Sequence, residues 1–154
     1  MKRIPIITKD NPDNDYGEMT CQDNTNATTI TTKDVPVDVA DFLTGEVNGV
    51  TFDGINSALL VAKAGKYRVS LTGSAKAAVA AKDFTFGVGI GSSLNAKAQV
   101  RRHFVDNTTD RPFAWSGVLS LAAADALTVM VANNTDTENV TILDASLALN
   151  RIGD

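Results

Sequence analysis

The sequence predicts an all-β fold, an antiparallel sandwich or barrel of about ten strands. Three observations carry the prediction. Apolar and polar residues alternate with a period of two through the second half of the chain. The cleanest run has Phe84, Phe86, Val88 and Ile90 facing one way and Thr85, Gly87 and Gly89 the other. Glycine or clustered Asn and Asp residues close such runs at short intervals, as at Ala64-Gly65, Asp106-Asn107 and Asn133-Asn134. No helical period separates the runs, so a parallel sheet with crossover helices does not fit.

Taken in order, residues 1–16 stand apart. Ile4, Ile6 and Ile7 precede a stretch of prolines and Asn/Asp residues that no helix tolerates. The reading is an extended N-terminal arm whose isoleucines dock on a partner. The folded domain is then residues 17–154. A short strand is expected over residues 17–22. Residues 28–33 are β-branched and polar, which suits an exposed strand. Val35, Val37 and Val39 alternate with Pro36, Asp38 and Ala40; Pro36 has no amide hydrogen to give, so that segment belongs at an edge. Residues 47–52 follow, with Asn48-Gly49 as a turn or bulge signal. Residues 57–63 form a largely apolar strand. Ala64-Gly65 turns the chain into residues 66–72, where Tyr67, Val69 and Leu71 share a face.

Residues 74–82 are rich in alanine, the best helix former, but too few for a stable helix. A connecting loop with one helical turn is expected there. Strands follow over residues 83–91 and 98–105. Phe113, Trp115, Gly117, Leu119 and Leu121 line one face of the next, and Leu127, Val129 and Val131 one face of the strand after it. In the last run Val140 and Ile142 set one parity and Leu143, Ala145, Leu147 and Leu149 the other. That switch predicts a bulge near Leu143.

Composition narrows the function classes. The 154 residues fit one domain, and roughly 70% of the unfolded surface is buried at this size. No run approaches the ~20 apolar residues that cross a bilayer, and residues 1–7 hold too short an apolar stretch for a secretory leader. No membrane partner is expected. Cys21 is the only cysteine, so no internal disulfide forms. It reads as a small buried hydrophobe in a protein maturing in a reducing cytoplasm. Fourteen Lys and Arg against 18 Asp and Glu leave a net charge of −4, whereas nucleic-acid binding calls for a basic face. The one dense basic spot, Arg101-Arg102-His103, reads as a solvated strand surface with Arg102 on the opposite side from its neighbours.

The motifs that invite a chemical reading fail on spacing. Gly87-Val88-Gly89-Ile90-Gly91 has Ser92 where a dinucleotide loop needs its third glycine. These glycines instead leave a bare outer face that another backbone or subunit can approach. One histidine and one cysteine do not build a zinc site, and Asp10, Asp13 and Asp15 lack a calcium-loop spacing. Any Ser-His-Asp triad would depend on His103, inside the basic spot. No catalytic, cofactor-binding or metal residue is assigned, and no enzyme activity is expected.

The phrases also have an order. Gly65-Lys66-Tyr67 opens one strand, Phe84-x-Phe86-x-Val88 forms another, and Ser116-Gly117 is followed by Leu119 and Leu121. Asp125-x-Leu127 opens the penultimate strand, and Leu147-x-Leu149-x-Arg151-Ile152 closes the chain. Together they resemble the C1q/TNF-like jelly roll, over residues 17–152, in the form found in small virion proteins of tailed bacteriophages. One departure stands out: Ala124-Asp125 occupies the place of the family's usual Gly-Asp.

The resemblance implies a homotrimer packed around a threefold axis. Tyr67, Val69, Leu71, Trp115, Leu119, Leu147 and Leu149 would face the sandwich core. Arg68, Ser70, Ala114, Ser116, Val118, Ser146 and Ala148 would face neighbouring subunits. The implied function is that of a structural protein added to the virion surface, a capsid decoration (cement) protein or head fibre. It would assemble in the host cytoplasm and dock on the major capsid protein or another virion protein through Ile4, Ile6 and Ile7. Removing residues 1–15 should leave a folded trimer that no longer docks. The alternative is a receptor- or glycan-binding fibre tip using residues 106–111 and 133–138. An enzyme of the cupin-like jelly rolls is disfavoured because their His-rich metal motif is missing.

Overall fold

The computed structural model describes residues 14–154, so the expected docking residues Ile4, Ile6 and Ile7 lie outside the described residues. Among the described residues eleven strands form in order: β1 (Tyr16–Cys21), β2 (Val37–Asp38), β3 (Leu43–Asn48), β4 (Val50–Asp53), β5 (Ala58–Val61), β6 (Gly65–Ala77), β7 (Lys82–Ile90), β8 (Ser93–Phe104), β9 (Arg111–Leu121), β10 (Ala126–Asn133) and β11 (Val140–Gly153). One sheet has the order β3-β1-β11-β6-β9, the other β4-β5-β10-β7-β8. The short β2 pairs with β10. Every pairing is antiparallel.

The alternation read from the sequence faces inward as expected. Tyr67, Val69, Leu71, Leu147, Leu149, Phe84, Phe86, Val88, Leu127, Val129 and Val131 are all buried. The two sheets are stitched by aromatic rings. Phe86 of β7 stacks across on Phe113 of β9 with centroids 4.3 Å apart and planes 3° from parallel, and within the second sheet Phe84 meets Phe104 edge-on at 5.3 Å. Burying a ring of this size contributes about 2–3 kcal/mol, and its geometry with a neighbouring ring about 1 kcal/mol more. The expected bulge is present: the β11–β6 register shifts between Ile142 and Asp144, so Ile142 and Ala145 both face the core.

Several expectations need correction. Residues 28–33 are not a strand. Thr28 bridges Val140 alone, and the Ile30 amide donates to Asn139 Oδ1 at 2.9 Å, so a side chain takes the place of a ladder partner. Ile30 turns into the core. Residues 47–52 are not one strand but the join of two. The chain leaves the first sheet at Asn48 and enters the second at Val50, and Gly49 makes the corner at φ +65°. The alanine-rich stretch holds no helical turn. Ser74 to Ala77 continue β6, all paired with β11 and Ser74 and Ala75 also with β9, and Ala75 and Ala77 are buried. Tertiary pairing has overridden helix propensity there. Expected strands over 66–72 and 98–105 are longer, running Gly65–Ala77 and Ser93–Phe104.

The glycine run has a purely internal explanation. Gly91 (φ +56°) and Ser92 (φ +67°) form the two-residue turn joining β7 to β8, where both central residues need positive φ. At Gly87 a β-carbon would lie 2.4 Å from the Ala98 carbonyl, and at Gly89 2.4 Å from Met130 Sδ. The closely approaching backbone is thus the chain's own.

Candidate functional site

The outward face of the β3-β1-β11-β6-β9 sheet collects the residues that sequence reasoning singled out. On β6 the inward Tyr67, Val69 and Leu71 leave Arg68, Ser70 and Thr72 outward. Arg68 stands opposite Val118 on one side and Asn150 on the other. Ser70 stands between Ser116 and Ala148, and Thr72 between Ala114 and Ser146. Arg68, Ser70, Ala114, Ser116, Val118, Ser146 and Ala148 therefore form one contiguous grid, exposed or half-buried throughout. Trp115, assigned to the core, is only partly buried; its ring lies over Gly117, where a β-carbon would meet Cζ2 at 2.6 Å.

The grid extends onto strands the sequence reading left out of it. Asn150 faces Tyr16, Ala148 faces Glu18 and Ser146 faces Thr20 on β1; Tyr16 in turn faces Asn48 on β3. The signal was there, because Met19 and Cys21 point inward and so leave Glu18 and Thr20 outward. β3 gives no such signal, since both its faces are largely exposed. Ser146 Oγ donates to Glu18 Oε1 at 3.1 Å. A shallow depression of about 310 Å³ lies here, bounded by Tyr16, Glu18, Glu46, Arg68, Ser70 and Ala148.

The opposite end of the sandwich carries the loops considered for receptor binding. Asp106 accepts the amide hydrogens of Thr108 (2.9 Å) and Thr109 (2.7 Å). These bonds hold its carboxyl well below the ordinary range, at about 2. Buried Asn133 organises the other loop: its amide nitrogen donates to Asp136 Oδ1 and the Glu138 carbonyl, both at 2.8 Å, and its oxygen accepts from Thr135 and Asp136. Lys82 pairs with Asp136 and lowers its pKa. Both loops are tied down by their own side chains.

The remaining chemical candidates are dispersed. His103 Nδ1 lies 2.8 Å from Asp83 Oδ1 in the open, and Arg102 turns to the other side, donating to the Pro112 carbonyl at 3.0 Å. Cys21 is buried, and that burial raises its pKa. Among the described residues no three His, Cys, Asp or Glu side chains gather as a metal site, and no helix is long and apolar enough to cross a membrane. Ala124, in the place where the resemblance calls for glycine, takes φ +70°, with Ala122 N donating to Asp125 Oδ2 at 2.8 Å.

No family model matches the chain, and no curated protein does. Solved structures do. The structure of Eiger TNF from S. frugiperda superposes with a TM-score of 0.56 and 16% identity, covering 91% of this chain and 94% of that one. The crystal structure of murine APRIL at pH 5.0 superposes with a TM-score of 0.60 and 12% identity, covering 90% and 99%. At these identities the likeness speaks for the fold: the chain is an all-β, TNF-like jelly roll.

Proposed function

We propose that this chain is a non-enzymatic structural protein that forms a homotrimer through the outward face of the β3-β1-β11-β6-β9 sheet and decorates a tailed-phage capsid. The observation that carries the assembly reading is the make-up of that face. Across β9, β6 and β11 its central positions are Ala114, Ser116, Val118, Arg68, Ser70, Thr72, Ser146, Ala148 and Asn150, with Arg68 the one charge among them. A sheet meant for water ordinarily carries long charged side chains. Small residues let a second surface approach closely, and charge is depleted at interface cores.

The capsid reading rests on the resemblance to phage virion proteins and is supported by the polarity of the domain. The chain enters at Asn14, which accepts a bond from Asn48, beside the start of β6 and the end of β11. Residues 105–110 and 134–139 lie at the other end of β6, whose 13 residues span about 40 Å. The arm end would grip the shell, and the loop end would point away. Binding only to the assembled shell would stabilise it by mass action.

Asp15 is buried in the domain, so a deletion that spares the fold removes residues 1–13. The test uses phage heads stripped of this protein. Full-length chain should rebind and raise the heads' melting temperature, while the deleted chain should stay trimeric in solution and not rebind. Equal rebinding would remove the arm's role; no rebinding by either would remove the capsid role. A glycan array with the full-length trimer tests the fibre-tip alternative, which the ordered loop end opposite the arm favours.

A further inference from the structure

We infer that neighbouring copies meet head to tail, with Arg68 of one copy paired to the Glu18 and Glu46 carboxylates of the next. The inference rests on the trimeric reading above. Its basis is the lateral charge split of the assembly face. The β1–β3 side carries Glu18 and Glu46; the β6 side carries Arg68, with Lys66 two residues before it on the same face. Between these two sides stand the uncharged Ser146, Ala148 and Asn150 of β11.

Among the described residues none of these charges is neutralised by an opposite charge. Among the described residues Arg68 and Glu46 have no ion pair, and Glu18 has only the Ser146 hydroxyl. Arg68 on β6 stands two strands from Glu18 on β1 and three from Glu46 on β3, about 10 and 14 Å, and the three line one shallow depression without an ion pair between them. Covering the face with a second copy would strand these groups unless the copy brought opposite charge. A copy that sets its β6–β9 side against the β1–β3 side of its neighbour does so at every contact. Each contact then joins two different halves of the face, the head-to-tail arrangement that closes into a ring.

The test is the trimer dissociation constant, measured by light scattering over a dilution series at about 0.15 M salt. The chains compared are full-length wild type, R68E, E18K/E46K and the triple variant R68E/E18K/E46K. All substitutions are on the surface, and matching circular dichroism spectra check that each chain folds. Both partial reversals should weaken the trimer at least about 100-fold, and the triple variant should return to within about 10-fold of wild type. A trimeric wild type whose partial reversals dissociate no more readily overturns the charge pairing and leaves the trimer standing. So does a triple variant as weak as the partial ones. A monomeric or dimeric wild type overturns both readings.

Discussion

Gly49 is the corner on which the chain passes from one sheet to the other, and replacing it with alanine tests that role. Two costs are visible. Gly49 sits at φ +65°, where a side chain costs about 1–2 kcal/mol. A β-carbon would also lie 2.1 Å from Asp15 Oδ1 and 2.5 Å from its Cγ. Asp15 is 4% exposed, so it has nowhere to go, and overpacking of this kind costs about 1–3 kcal/mol. Alanine stiffens the unfolded chain, which returns about 0.4–1 kcal/mol. The net loss for Gly49→Ala is about 3 kcal/mol, a fall in Tm of roughly 6–12 °C at this size. Urea unfolding monitored by Trp115 fluorescence measures it. The same substitution in an Asp15→Ala background should cost only about 1 kcal/mol, because the steric part is gone. A loss below about 0.5 kcal/mol, or an equal loss in both backgrounds, would refute the reasoning.

Other consequences follow from single contacts. Ala124→Gly should stabilise by about 0.5–1 kcal/mol, since Ala124 holds φ +70°; destabilisation in urea would contradict the turn. Phe86→Ala removes the ring stacked on Phe113 and should cost about 3–5 kcal/mol, read by the same unfolding curves. Asp106 is held at about 2 against an ordinary 3.8. Its bonds to Thr108 and Thr109 are therefore complete above about 4 and lost as pH falls toward about 2. Amide NMR of Thr108 and Thr109 should show that transition, and Asp106→Asn should abolish it. Cys21 should resist a thiol reagent in the folded protein and react at once in denaturant; fast labelling of the native chain would contradict its burial.

Much of the fold was legible because buried alternation leaves a strong trace. Phe84, Phe86 and Val88, or Tyr67, Val69 and Leu71, are spaced as strands and nothing else, and the parity switch at Leu143 gave away the bulge. Illegible were the places where local chemistry and tertiary pairing compete. Ala75 and Ala77 have helix propensity, yet β11 claims the backbone of both and β9 that of Ala75 as well. Thr28 to Lys33 have strand propensity, yet the Asn139 side chain claims the Ile30 amide in their midst. The split at Gly49 is hidden because a corner between sheets and a turn within one both call for Asn-Gly. The outward face of the β3-β1-β11-β6-β9 sheet was legible on β6, β9 and β11, where an inward pattern fixes the outward one. It was missed on β3, an edge strand whose faces are nearly alike.

The most direct test of the account is the mass of the full-length protein in solution, by size exclusion with light scattering. The account predicts 48.6 kDa, three times the 16.2 kDa of one chain. A single species at 16.2 kDa, unchanged at the highest concentration reached, would contradict it: the small-residue face would then be open to water, and the sheet's composition would need another explanation.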